Sequence, residues 1–190
     1  MNTNDIHQRY LHLLNVSLFP MIVVVFGLPG SGKSFFASRL ASMINAYYIK
    51  SDRVRKEMLK TRNYSVKEKL SVYNAMFSQL IEAKKQNKNM VVDATFYKNE
   101  IRRNFISKAP GNERIIFIEV IADESLIRER LKKTRVDSEA NFEVYKKIKE
   151  EWEPMDAPHL VLKSTNNNIN EMLYKTTDYL QLKDDTRTDK

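Results

Sequence analysis

The chain has 190 residues, 42% of them hydrophobic and 29% charged, with a formal net charge of +8 at pH 7 and no cysteine. That length suits one domain with a substantial core, and the missing cysteine excludes disulfides, thiolate metal sites and a cysteine nucleophile. Scattered His7, His12 and His159 offer no zinc cluster, no run approaches the roughly 18 apolar residues of a membrane helix, and the positive charge favours anionic partners such as nucleotides, phosphates or nucleic acid.

Residues 1–20 read as an N-terminal extension. Ile6, Tyr10, Leu13 and Leu14 share a helical face there, and Pro20 stops it. The first ten residues lack the basic and apolar regions of a signal peptide, so a cytoplasmic setting is expected. MIVVVF (21–26) is a valine-rich apolar run, the pattern of a strand covered on both faces. After it, Ala37, Leu40, Ala41 and Ile44 recur at helical spacing. AYYIK (46–50) reads as a strand, and 51–59 as a helix with Ser51 as its N-cap. A long helix is expected over 65–86, with Leu70, Tyr73, Phe77, Leu80 and Ile81 inside. A strand follows at 89–94, then a helix at 98–108 that stops before Pro110 and Gly111. A strand at 114–122 precedes charged helices at 124–133 and about 140–151. A short fifth strand lies at 159–163, a closing helix at 168–181, and a disordered tail at 182–190. Strands alternating with helices predict one α/β domain over 21–181 with a mostly parallel sheet.

Three of the four glycines, Gly27, Gly30 and Gly32, fall within residues 27–32. With Lys33 and Ser34, Gly27 and Gly32 satisfy G-x-x-x-x-G-K-[ST], between an apolar strand and an amphipathic helix. A triphosphate is a dense anion, best held by many backbone N–H groups converging on one point, and glycine lets the chain fold that tightly. The following helix adds its N-terminal dipole. Lys33 is expected on the β- and γ-phosphates and Ser34 on Mg²⁺, with Pro29 stiffening the loop. The nucleotide-binding set is Gly27, Pro29, Gly30, Ser31, Gly32, Lys33, Ser34 and Phe35.

In open parallel sheets, ligands sit beyond the carboxyl ends of the strands. After the second strand, Asp52 and Arg55 share a face of a first helical turn. A carboxylate there accepts the proton of an attacking hydroxyl, and an arginine there clamps a phosphate. An acid in a first turn also serves the helix dipole alone. After the third strand, Asp93 closes an apolar run beside Thr95, where a Mg²⁺-side carboxylate belongs. The sequence leaves open which of Asp52 and Asp93 is the base and which organises the metal. After the fourth strand, Arg128, Arg130, Lys132, Lys133 and Arg135 crowd a helix end, the composition of a basic lid over transferring oxygens. The basic stretch from Arg53 to Lys69 permits an anionic acceptor, including a nucleic-acid end.

GLPGSGKS, SD-x-x-R, VVDATF, RERL and SEANFEVYKKIKEEWEP together resemble the small P-loop kinases of the AAA-type ATP-binding group. That group is similar to the kinase domain of polynucleotide 5′-hydroxyl kinases, to gluconate kinases and to zeta toxins. The resemblance spans about residues 21–163. It implies a three-layer P-loop kinase fold with a five-stranded, mostly parallel sheet and a small helical lid. It also implies transfer of the ATP γ-phosphate to a hydroxyl with Mg²⁺. Carried over, Lys33 and Ser34 match the ATP–Mg²⁺ residues, Asp52 the base, Arg55 the acceptor-side arginine and Arg130 the arginine of the RL motif. The lid pattern R-L-x-x-R departs here, with Thr134 in the last position and Arg135 one later. Two alternatives stand beside the kinase: a nucleotide-binding regulatory module with slow ATPase activity, and a zeta-toxin-like kinase of nucleotide sugars.

Overall fold

MIVVVF has no polar residue to mark a solvent face, and β1 (Met21–Phe26) is buried on both sides along its whole length. The computed structural model describes residues 20–59, 65–109, 114–133 and 140–188. After β1 come α1 (Lys33–Met43), β2 (Tyr47–Lys50), α2 (Ser51–Met58), α3 (Val66–Lys85) and β3 (Met90–Asp93). Then follow α4 (Asn99–Lys108), β4 (Arg114–Ile121), α5 (Glu124–Leu131), α6 (Phe142–Glu150), β5 (Leu160–Lys163) and α7 (Ile169–Thr188). The five strands form one sheet in the order β2-β3-β1-β4-β5, and every pairing is parallel.

Successive side chains of a strand point to opposite faces, and β1 divides its residues between two cores on that rule. Met21, Val23 and Val25 join Phe36, Ala37 and Leu40 of α1 and Met172, Leu173 and Leu180 of α7. Ile22, Val24 and Phe26 join Val54 of α2, Met76 and Leu80 of α3 and Phe105 of α4. Helices therefore cover both faces, the three layers expected. Each fully buried Val, Ile or Phe contributes about 1.5–3 kcal/mol. Phe26 also has polar and aromatic neighbours: the Trp152 ring stacks on it at 6.0 Å and 7°, and the Arg102 guanidinium lies 5.7 Å from its centroid.

Three local expectations are corrected. Ser51 is the first helical residue of α2 rather than its cap, which is Lys50, and no side chain bonds the cap. In α3, Leu70 and Ile81 are exposed, at 49% and 47%, whereas Val72, Met76, Phe77, Leu80 and Ala83 are buried. The true inner stripe starts two residues later than expected. The α7 helix continues to Thr188, so 182–188, expected as part of a disordered tail, prolongs the closing helix. No Gly or Pro stands there to stop it. The helix expected within 1–20 and the lid residue Arg135 lie outside the described residues.

Candidate active site

β1 pairs with β3 so that Val25 stands beside Asp93, and β2 pairs with β3 so that Lys50 does too. The carboxyl ends of three adjacent strands thus deliver the glycine loop, Asp93 and the start of α2 to one place. Two positions of the loop leave no room for a side chain. Gly27 has φ +148°, and a Cβ there would sit 2.3 Å from the Val120 carbonyl oxygen, which is backbone and cannot move aside. Gly32, the N-cap of α1, has φ +96°, and its Cβ would meet the Ser164 hydroxyl at 2.6 Å. These positions require glycine for conformation and for space together. Lys33 and Ser34 then open α1, where N–H groups and the dipole face outward.

Asp93 is 1% exposed. Its Oδ2 accepts a hydrogen bond from the Tyr48 hydroxyl at 2.9 Å, and Tyr48 also reaches the Ser34 carbonyl at 3.3 Å. Its Oδ1 is buried with no hydrogen-bond donor. Burial pushes the Asp93 carboxyl above the ordinary carboxylate range, while nearby Lys33 and the Ser34 and Tyr48 hydroxyls pull it back. Burial likewise raises the Tyr48 phenol, with Asp93 adding to the rise, so Tyr48 stays a donor. A buried oxygen without a donor, beside a serine hydroxyl at the mouth of a phosphate-type loop, is the donor set a hard divalent cation takes.

Asp52 lies in the first turn of α2. Arg55 bridges it to α3: Nη1 donates to Asp52 Oδ1 at 3.2 Å and Nε to Glu68 Oε1 at 3.0 Å. Glu68 is buried, and its N–H is in turn capped by Ser65. The expected pair is therefore a triad, and Arg55 is held in place by a carboxylate from the next helix. Pro29, Lys33, Asp52 and Arg55 share the walls of one cavity of about 290 Å³, whose other walls include Thr95, Tyr97 and Lys147 of α6.

Arg130 faces elsewhere. Its Nη1 donates to the Ser31 carbonyl at 3.2 Å and the Ser164 hydroxyl at 3.2 Å, and Nη2 donates to the Thr165 carbonyl at 2.7 Å. It ties the glycine loop to the turn after β5, on the side of the loop away from Asp52. Gly30 packs on the same helix, its Cβ position 2.9 Å from Ile127. Phe35 is 57% exposed, with Arg39 over its ring at 5.4 Å, and it does not line the Asp52 cavity. Sequence reasoning passed over Tyr48, Tyr97 and Lys147, and placed Glu68 and Lys69 only within the charged stretch beside the acceptor site. For Glu68 a signal existed: Ser65-x-x-Glu68 is a capping-box pattern that marks the start of α3.

The sequence profile of the AAA domain family matches residues 22–155. Among solved structures, the chain is similar to a gluconokinase from Sinorhizobium meliloti 1021, at TM-score 0.68 and 18% identity, over 90% of this chain and 97% of that one. It is similar to the Mycobacterium tuberculosis APS kinase CysC, solved with AMPPNP and APS, at TM-score 0.65 and 17% identity, over 86% and 98%. It also resembles a chain of the Pnkp1/Rnl/Hen1 RNA repair complex, at TM-score 0.53 and 19% identity, over 89% of this chain and 47% of that one. The fold is thus that of P-loop kinases. Among the described residues no helix is long and apolar enough to cross a membrane.

Proposed function

The chain belongs to this AAA domain family, and from that premise we propose that it is an ATP- and Mg²⁺-dependent kinase of a hydroxyl acceptor. The observation that carries the reading is the shared cavity: Lys33, Asp52 and Arg55 line one opening in front of the glycine loop. Backbone N–H groups of the loop and Lys33 hold the β- and γ-phosphates. Ser34 and Asp93 hold Mg²⁺, and Asp93 Oδ1, buried without a donor, fits that role. When bound, the ion neutralises charge developing on the phosphate oxygens.

Asp52 accepts the acceptor's hydroxyl proton as that oxygen bonds to the γ-phosphorus. The bond from the γ-phosphorus to the β,γ-bridging oxygen breaks, and ADP leaves. Arg55, bonded to Asp52 and Glu68, fixes the carboxylate and presents positive charge to the acceptor. Arg130 holds the Ser31 carbonyl and so keeps the loop's amides turned to the nucleotide. A cytoplasmic setting, where ATP is plentiful, belongs to this reading.

The test is incubation with [γ-³²P]ATP, Mg²⁺ and a panel of hydroxyl compounds spanning sugar acids, nucleotides and polynucleotide ends. The expected result is label on one acceptor class. Label released only as inorganic phosphate across the panel would contradict the kinase and leave a slow ATPase module.

A further inference from the structure

Next to the Asp52 cavity, a second opening of about 220 Å³ lies between α3 and α4. The two share three wall residues, Lys69, Tyr73 and Tyr97. Neither opening by itself reaches the roughly 300–1,000 Å³ of small-molecule sites, whereas their two volumes taken together fall inside that range. Four rings line the second opening, together with Leu70 and Ile101 and the polar Lys98, Glu100 and Asn104. Phe77 and Phe105 lie 5.2 Å apart at 30°, and Tyr73 and Tyr97 form the boundary with the first cavity. Such walls favour a flat aromatic group over a polyhydroxylated chain, which would lose its water without recovering hydrogen bonds.

Of the three shared wall residues, Lys69 alone is charged. The Lys69 ammonium donates to the Tyr97 hydroxyl at 3.0 Å and lies 5.1 Å from that ring's centroid. Among the described residues it forms no ion pair, and neither do Lys33 and Lys147 on the same cavity. Asp52 and Glu68 are engaged with Arg55, and Glu151 with Lys98 at 3.6 Å, while Glu100, exposed in the first turn of α4, is a wall residue of the second opening. Lys33 is committed to the nucleotide in the reading above. Lys69 and Lys147 remain as cations facing the acceptor's space.

We propose, resting on the kinase reading, that the acceptor is an anionic hydroxyl compound bearing a planar aromatic group. Its anion lies on Lys69 and Lys147, and its ring enters the opening between α3 and α4. Lys69 then sets specificity by standing where the two parts of the acceptor join.

Calorimetry on the full chain saturated with AMPPNP and Mg²⁺ tests this, the nucleotide keeping phosphate probes off the glycine loop. The probes are phenyl phosphate, inorganic phosphate and phenol. Phenyl phosphate is expected to bind about tenfold or more tighter than either fragment, since it alone engages both parts. Lys69→Met is expected to weaken it by about tenfold or more, the size of one charge-assisted contact. Leu70→Trp, at an exposed rim position of the second opening, is expected to weaken phenyl phosphate and leave inorganic phosphate unchanged. AMPPNP affinity, measured first on each variant, reports that it is folded. AMPPNP bound but phenyl phosphate no tighter than its fragments, or indifferent to Leu70→Trp, overturns this inference alone. No AMPPNP binding by the unmodified chain overturns the kinase reading beneath it.

Discussion

Gly27 has no room for a methyl group: the Val120 carbonyl already occupies the space. Gly27→Ala combines that clash with a backbone angle that L residues rarely adopt, and is expected to destabilise the protein by about 2–4 kcal/mol. A thermal melt checks it. Asp52 is tested separately from stability. Asp52→Asn keeps the shape of the side chain and removes the proton acceptor, so kcat is expected to fall about 10²–10⁴-fold on the true acceptor. AMPPNP affinity should stay near that of the parent, and a loss under about tenfold would reject the base assignment. The glycine loop was legible because its chemistry is contiguous in the chain. Asp52 and Arg55 were legible because they lie one helical turn apart. Glu68, which completes their triad, was not, because its bond to Arg55 crosses from one helix to the next. Tyr48 was hidden for the same reason. It bonds Asp93 across the sheet, 45 residues away.

Helix α3 shows how far periodicity reads at the scale of an element. Its length and type were evident, but apolar residues occupy more than one stripe, and Leu80 and Ile81 were both assigned inside. Only Leu80 is, at 0% exposed against 47%. Leu80→Ala is expected to cost about 2–5 kcal/mol by opening a cavity, and Ile81→Ser to change stability by no more than about 0.5 kcal/mol. Chemical denaturation of the two variants separates the stripes. The junction after β3 gives a second test. Arg102 donates to the Phe96 carbonyl at 2.5 Å, the Glu153 carbonyl at 2.5 Å and the Pro154 carbonyl at 3.1 Å. It thereby fastens the segment after α6 onto the turn that follows Asp93, a turn containing Phe96 at φ +45°. Burial lowers the guanidinium's affinity for its proton, offset in part by Glu153 and Glu119. Arg102→Met strands three carbonyls, and a loss of about 3–5 kcal/mol is expected in the same denaturation assay. Nothing local in the sequence distinguished Arg102 from its neighbour Arg103. Their difference is one of burial, decided by which face of α4 meets the sheet.

At the scale of the whole molecule, alternating strands and helices announced a parallel α/β sheet but not its order. The observed order, β2-β3-β1-β4-β5, puts β3 between β2 and β1. That one fact brings Asp93 between the glycine loop and Asp52, so the proposed metal side and the proposed base share a site although 41 positions apart in number. It also sends Arg130 to the far side of the loop, where it holds Ser31 and Thr165. The central claim is that the amides after β1 and the Lys33 ammonium hold a nucleoside triphosphate with its metal. Titrating AMPPNP into the protein by calorimetry, with Mg²⁺ and then with Lys33→Ala, tests it directly. Saturable one-to-one binding, weakened about tenfold or more by the substitution, is the predicted result. Absence of binding at millimolar nucleotide, or equal affinity in Lys33→Ala, would contradict it.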